Sequence, residues 1–235
     1  MRRFFALLLF CASPALFAAV PVSIESSYDV ITKGVKIATI NEKFTRTGNH
    51  YRIENVTKPV GLLALFKPDT IYAVSEGDIT AQGLHPLNFV YKHSQETLKN
   101  TEANFDWNQS TLMLDDRYGQ HVEPLPAGTQ DRLSVEYQFR YVSSLRERKD
   151  VIIYITNGSK IDKRQYLIHP KQQMLTVPLG KLETLYLSTP PEEGTAWKTE
   201  IWLSVENGNF PCQITVTEDN GDKLTQVLTA LSITQ

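Results

Sequence analysis

From Ser23 onward, apolar and polar residues alternate in short runs separated by turn-forming residues. "SIESSYDVI" runs into "TKG", "VKIATINEKF" into "TRTGNH", and "YRIENV" follows. Alternation with a period of two is how a half-buried strand reads. In "NFDWNQSTLMLDD", Phe105 and Trp107 precede a turn and Leu112 and Leu114 follow it, which places both pairs on one face of a hairpin. Asn157-Gly158, Asn207-Gly208 and Asn220-Gly221 supply residues that accept positive φ in tight turns, so the C-terminal third reads as an antiparallel meander. Roughly a dozen runs recur at the spacing of a barrel or sandwich. A flat open sheet of that size would leave hazardous edges and would curl or split. The pattern therefore predicts a mainly all-β chain, a curved antiparallel meander or flattened β-barrel.

Two segments break this rhythm. "KPVGLLALFKP", Lys58 to Pro68, is an apolar cluster between prolines; it is expected to be a core strand bent at Gly61, the alternative being a flap over an apolar cavity. "TQDRLSVEYQFRYVSSL", residues 129–145, alternates as a strand does, yet Arg132, Glu136, Arg140 and Ser143 share one narrow arc when set at 100° per residue. Glu136 and Arg140 stand in the favourable order for an i, i+4 pair, and Thr129 or Asp131 is placed to cap a helix start. Aromatic and β-branched residues argue for a strand instead. Periodicity leaves both readings open.

The first residues change the setting. Arg2 and Arg3, the apolar run Phe4 to Phe10 and the small residues Ala18 and Ala19 have the layout of a secretory signal, giving a signal peptide over 1–19 and a single β-rich periplasmic domain over 20–235. No later run approaches the roughly 20 apolar residues of a membrane span, so no integral membrane segment is expected after cleavage. Cys11 follows Phe10 where a lipid-modified cysteine wants a small neighbour. Cleavage would leave Cys212 alone, unable to form an internal disulfide and expected to be a buried, unreactive thiol. A formal charge of -2 removes the electrostatic case for a nucleic-acid partner.

The fragments "SYDVITKGVKIA", "GNHYRIENVTKPVGLLALF", "SEGDITAQGLHPLNFVY", "FDW", "DRLSVEYQFR", "VPLGKLETLYL", "IWLS" and "NFPCQITVTEDNG" come in the order and approximate spacing of an exported bacterial family, domain of unknown function 3108, which the chain resembles over nearly its whole mature length. It departs at Lys36, where a glycine is expected near Val35, leaving the first hairpin's turn open. The resemblance implies export to the periplasm or outer surface and a β-rich fold. It also implies a helix in the stretch similar to "DRLSVEYQFR". It transfers no catalytic residue.

A helix so widely apolar needs cover on more than one side, as when it lies in or across the concave side of a rolled sheet. Ser134 and Gln138 then fall inside the apolar arc, where polar groups need partners from the backbone, water or a ligand. Tyr137, Phe139 and Tyr141 are candidate lining residues for such a site, with Arg140 or Arg146 near a polar head. "RYVSSLRERKD" is otherwise expected to be a solvated basic loop.

Other chemistry leaves no signature. His50, His85, His93, His121 and His169 stand well apart, H-E-x-x-H is absent, and Pro86 is expected to interrupt any strand joining His85 to His93, so no metal site is expected. There is no G-x-S-x-G elbow and no phosphate-binding glycine loop, so neither a catalytic residue nor a cofactor is assigned. The expected role is non-enzymatic: a binder or carrier of a lipid or other apolar or amphipathic envelope molecule. Two alternatives stand beside it, an assembly or structural factor that binds envelope proteins and a polysaccharide hydrolase, which would need two acids facing a common cleft.

Overall fold

A computed structural model describes residues 21–191 and 193–235. The signal segment expected over residues 1–19 lies outside the described residues. Eight strands come first: β1 (Ser23–Thr32), β2 (Val35–Thr47), β3 (His50–Pro59), β4 (Ile71–Thr80), β5 (Gly83–His93), β6 (Thr101–Asp106), β7 (Thr111–Asp116) and β8 (Gly119–Pro124). After a linking segment come β9 (Gln130–Asp131), β10 (Asp150–Thr156), β11 (Ile161–Val177), β12 (Gly180–Ser188), β13 (Lys198–Ser204), β14 (Phe210–Thr217) and β15 (Lys223–Thr234). Two short helices interrupt them, α1 (Gly61–Phe66) and α2 (Ser134–Gln138).

All 15 strands of the described residues belong to one sheet ordered β8-β7-β6-β5-β4-β3-β2-β1-β15-β14-β13-β12-β11-β10-β9. Each pair is antiparallel except β9 with β10. Laid flat at about 4.8 Å per strand, the sheet would be ~67 Å wide. Its two edge strands, β8 and β9, are nevertheless neighbours in sequence, separated by residues 125–129. At ~3.5 Å per residue that link reaches only ~20 Å. The sheet must roll until its edges approach. Across the seam Gln130 Nε2 donates to the Leu84 carbonyl (2.9 Å) and Thr101 Oγ1 to the Asn157 carbonyl (2.7 Å). Gly158, at φ +88°, sits so close that a Cβ would lie 2.5 Å from Thr101 Oγ1.

The turns follow local chemistry. Lys33 and Gly34, both at positive φ, make the two-residue turn of the first hairpin and settle the turn left open at Val35. The three Asn-Gly pairs all fall between consecutive strands, β10–β11, β13–β14 and β14–β15. Phe105 pairs with Leu112 and, with Leu114, is buried, while Trp107 packs against the same core. Pro86 does not end its strand, contrary to the sequence expectation: β5 continues through it because the pairing shifts register there, between Glu76 and Gly77 on β4. A bulge is where a sheet tolerates a residue without an N–H.

"KPVGLLALFKP" also departs from expectation. It is not a core strand; Gly61 takes φ +59° and starts α1, whose Leu62, Leu65 and Phe66 are 73%, 76% and 84% exposed. Residues 129–145 do contain a helix, but a short one. Gln130 and Asp131 form β9, α2 covers five residues, and turns and a 3-10 turn at Leu145–Glu147 follow. Five residues do not hold a helix in water by propensity. Burial does it here: Leu133 and Tyr137 enter one apolar cluster, with Phe44, Tyr51 and Phe210, while Val135 and Phe139 enter a second, with Tyr166, Leu185 and Leu203. Each such side chain is worth ~1.5–3 kcal/mol. α2 thus lies inside the roll, joining the two halves of the core.

Candidate functional site

Asp131 fixes the start of α2. Its Oδ1 accepts from the N–H groups of Leu133 (2.8 Å) and Ser134 (2.9 Å), and Ser134 Oγ accepts from the Asp131 N–H (2.9 Å). Ser75 Oγ donates to the other carboxylate oxygen at 2.6 Å. Orphan donors at the helix start are thereby satisfied. Desolvation raises the Asp131 pKa, with these donors opposing the rise.

One turn further, Glu136 comes close to Glu42 of β2, and the two are electrostatically linked. Glu42 is fully engaged: Oε1 accepts from the Tyr137 hydroxyl (2.8 Å) and Oε2 from Asn55 Nδ2 (2.9 Å). Glu136 is not. Its Oε2 is sealed from solvent and has no hydrogen-bond partner among the described residues. Burial pushes the Glu136 pKa well above the ordinary carboxyl value, the Glu42 charge adds to the rise, and Arg132 partly offsets it. Glu42 is also raised by desolvation, but its two donors stabilise its anion. Burial therefore disfavours the anion more at Glu136 than at Glu42, whose charge has two donors. The i, i+4 contact expected between Glu136 and Arg140 is not made, because Arg140 turns away and donates to the Asn207 carbonyl (2.7 Å).

Beside α2 a partly open cavity of about 210 Å³ is bounded by Val135, Phe139, Ile155, Tyr166, Ile201 and Ile214, with Glu136 and Arg132 also on its wall. Of the residues singled out from sequence, Phe139 lies on this wall. Ser134 is consumed by the Asp131 turn. Tyr137 is buried between Phe44 and Phe210 with its hydroxyl on Glu42. Gln138 accepts from the Leu84 N–H (2.9 Å) and donates to the Gln82 carbonyl (2.8 Å), bracing the β4–β5 turn. Tyr141 packs at the edge of the first cluster, Arg140 closes on the β13–β14 turn, and Arg146 is exposed. Glu136, which its period sets on the polar arc with Arg140, was not among those candidates, yet it stands on the wall.

One further grouping was invisible in sequence. Asp69, His93 and Glu96 bring potential ligand atoms within 4.8 Å of one another. Asp69 accepts from the Gln95 N–H (2.9 Å) and Ser94 Oγ (3.3 Å) and pairs with His93 Nδ1 (2.5 Å). Desolvation opposes its ionisation, but these contacts win and hold its pKa at about 2. Glu96 is bridged by Lys99 (2.7 Å) and Lys67 (3.2 Å). Two ammonium groups on one ligand oppose a divalent cation, so the donor set fits a structural clasp between α1 and the loop after β5. Among the described residues Glu136 is the one acid on the cavity wall, and Glu42 and Asp131 are spent on internal donors.

Fold and cavity define a class: one long antiparallel meander rolled into an unclosed barrel around an internal helix. The chain belongs to the family described as protein of unknown function DUF3108, whose model matches residues 27–229. No curated protein sequence matches it. Among solved structures it is similar to a β-barrel-like protein of domain of unknown function DUF1849 from Brucella abortus, at 11% identity and a TM-score of 0.61, covering 92% of this chain and 99% of that one. That likeness supports the fold. A protein assigned as a lipoprotein from Parabacteroides distasonis aligns at 9% identity over 91% and 96% of the two chains, with a TM-score of 0.35. A domain assigned to outer-membrane lipoprotein sorting from Vibrio parahaemolyticus aligns at 8% identity over 90% and 85%, with a TM-score of 0.27. Both superpose too loosely to carry an argument. Among the described residues no helix is long and apolar enough to cross a membrane.

Proposed function

We propose that the protein is a non-enzymatic periplasmic binder or carrier of an apolar or amphipathic envelope molecule, held inside the roll beside α2. The observation that carries this reading is an aliphatic and aromatic cavity wall with one carboxyl oxygen, Glu136 Oε2, left without a partner. Binding sites for small molecules are mostly apolar, with a few polar groups that orient the guest. At about 210 Å³ the cavity is smaller than the ~300–1,000 Å³ typical of such sites, which suits one chain or ring rather than a two-chain lipid. Native mass spectrometry and lipid extraction of protein purified from its own envelope test the reading. A co-purifying small molecule is expected, and it should be lost in Ile214→Trp, which fills the cavity. If wild-type protein carries nothing and takes up no amphiphile in vitro, the reading fails.

A second reading, an envelope assembly factor, draws on the exposed apolar residues of α1. Isolated exposed leucines are ordinary, but three large apolar side chains on six residues form a contiguous patch of the sort that meets a partner. Cross-linking in intact cells separates the readings. A specific protein adduct lost in Leu65→Ser/Phe66→Ser favours the assembly factor.

A further inference from the structure

We propose that the guest is an anionic single-chain amphiphile, its chain in the cavity beside α2 and its phosphate or carboxylate head held by Arg117 and Arg132 at the mouth of the roll. This rests on the reading above that the cavity takes an apolar guest. A second concavity, a cleft of about 550 Å³, opens where the start of β6, the β7–β8 turn and the β10–β11 turn meet; Tyr91, Arg117, Tyr118, Arg132, Asn157 and Ser159 line it. Arg132 is common to the walls of both cavity and cleft. It follows β9 directly, and its guanidinium carbon lies 5.0 Å from the centre of the Tyr91 ring. A molecule that outgrows the small cavity past Arg132 enters the cleft.

The charges choose the head group. Lys99 also lines the cleft, but it and the neighbouring Lys67 are paired with Glu96. Among the described residues Arg117 and Arg132 form no ion pair; Arg117 contacts the hydroxyl and ring of Tyr118, and Arg132 lies over Tyr91. Both side chains are exposed, and both present planar forks that match phosphate or carboxylate oxygens. The acids that could object are Asp116 and Glu136. Asp116 keeps its charge while its Oδ1 accepts from the Tyr118 N–H (2.8 Å), and burial beside Glu42 disfavours a charge on Glu136, so two guanidinium groups face one charged carboxylate and the wall stays net positive. Asn157 and Ser159 add polar groups on the facing turn.

The test is calorimetric titration of the mature protein, below micelle-forming concentrations, with dodecyl phosphate, dodecanoate, the nonionic tetraethylene glycol monododecyl ether and dodecyltrimethylammonium. Both anions should bind about tenfold or more tighter than the nonionic probe, the scale of hydrogen bonds to charged groups. The cationic probe should bind weakest. Arg117→Gln/Arg132→Gln should bring the anions down to the nonionic level, and added salt should weaken anion binding in wild type only. Equal affinity for all heads in wild type overturns the head-group assignment and leaves the cavity reading standing. If only Ile214→Trp matters and the arginine pair does not, the assignment is likewise overturned. Failure of every probe to bind removes both. The comparison of heads on wild-type protein does not depend on the variants folding.

Discussion

Replacing Glu136 with glutamine should stabilise the protein, by an amount that grows with pH. In the native state the carboxyl is buried, faces Glu42 and lacks a partner for Oε2, so its pKa is raised well above the ordinary 4.5. In the unfolded chain it ionises near 4.5. A group whose folded pKa is raised contributes its full stability below the unfolded value and loses it as pH climbs towards the folded value. At pH 7 the unfolded chain has gained ionisation free energy at about 1.36 kcal/mol per pH unit above 4.5, which the native state forgoes, so suppressing this charge costs the native state up to ~3 kcal/mol. Glutamine keeps the shape and the unmet hydrogen bond but removes the ionisation. Glu136→Gln should therefore match wild type near pH 4 and exceed it by up to ~3 kcal/mol at pH 7, about 6–12 °C in Tm for a domain of this size. Urea denaturation at both pH values, followed by the fluorescence of Trp107, Trp197 and Trp202, measures it. A stability difference that is the same at pH 4 and pH 7 would refute the claim that burial suppresses the charge on Glu136.

Tyr137→Phe removes the donor to Glu42 Oε1 from a buried site and should cost ~1–3 kcal/mol in the same urea experiment at pH 7. Gly83→Ala forces a side chain onto φ +109° with its Cβ 2.3 Å from Gln138 Oε1, and should cost ~2–4 kcal/mol, read as a lower urea midpoint. Cys212 is fully buried, its thiol donates to the Trp202 carbonyl (3.3 Å), and desolvation pushes its pKa to about 12; a thiol reagent should leave it unmodified in native protein and label it fully in denaturant. Leu65→Ser/Phe66→Ser should shift stability by less than ~0.5 kcal/mol, because both side chains are already in water; a larger loss in thermal melts would mean that α1 is covered.

Local chemistry made much of the fold legible. Alternation at Phe105, Trp107, Leu112 and Leu114 set the inward face of one hairpin, and Asn-Gly pairs located three turns, because both signals act between residues a few positions apart. The helix at Ser134–Gln138 was only half legible. Its period competed with a strand-like alternation, and what holds it is two apolar clusters drawn from distant strands. "KPVGLLALFKP" misled for the converse reason: apolar composition predicts burial only if the fold supplies a partner surface, and α1 sits at the rim, where none comes.

What the chain determined by itself was its strands, its turns and the number of groups that must be buried. The pairing of β1 with β15, the approach of β8 to β9, and the places of Glu136 beside Glu42 and of Arg132 beside Tyr91 were decided only by the rolled sheet. Residues far apart in sequence share no local signal. Their protonation, their partners and the room between them are set by which surfaces closure brings together.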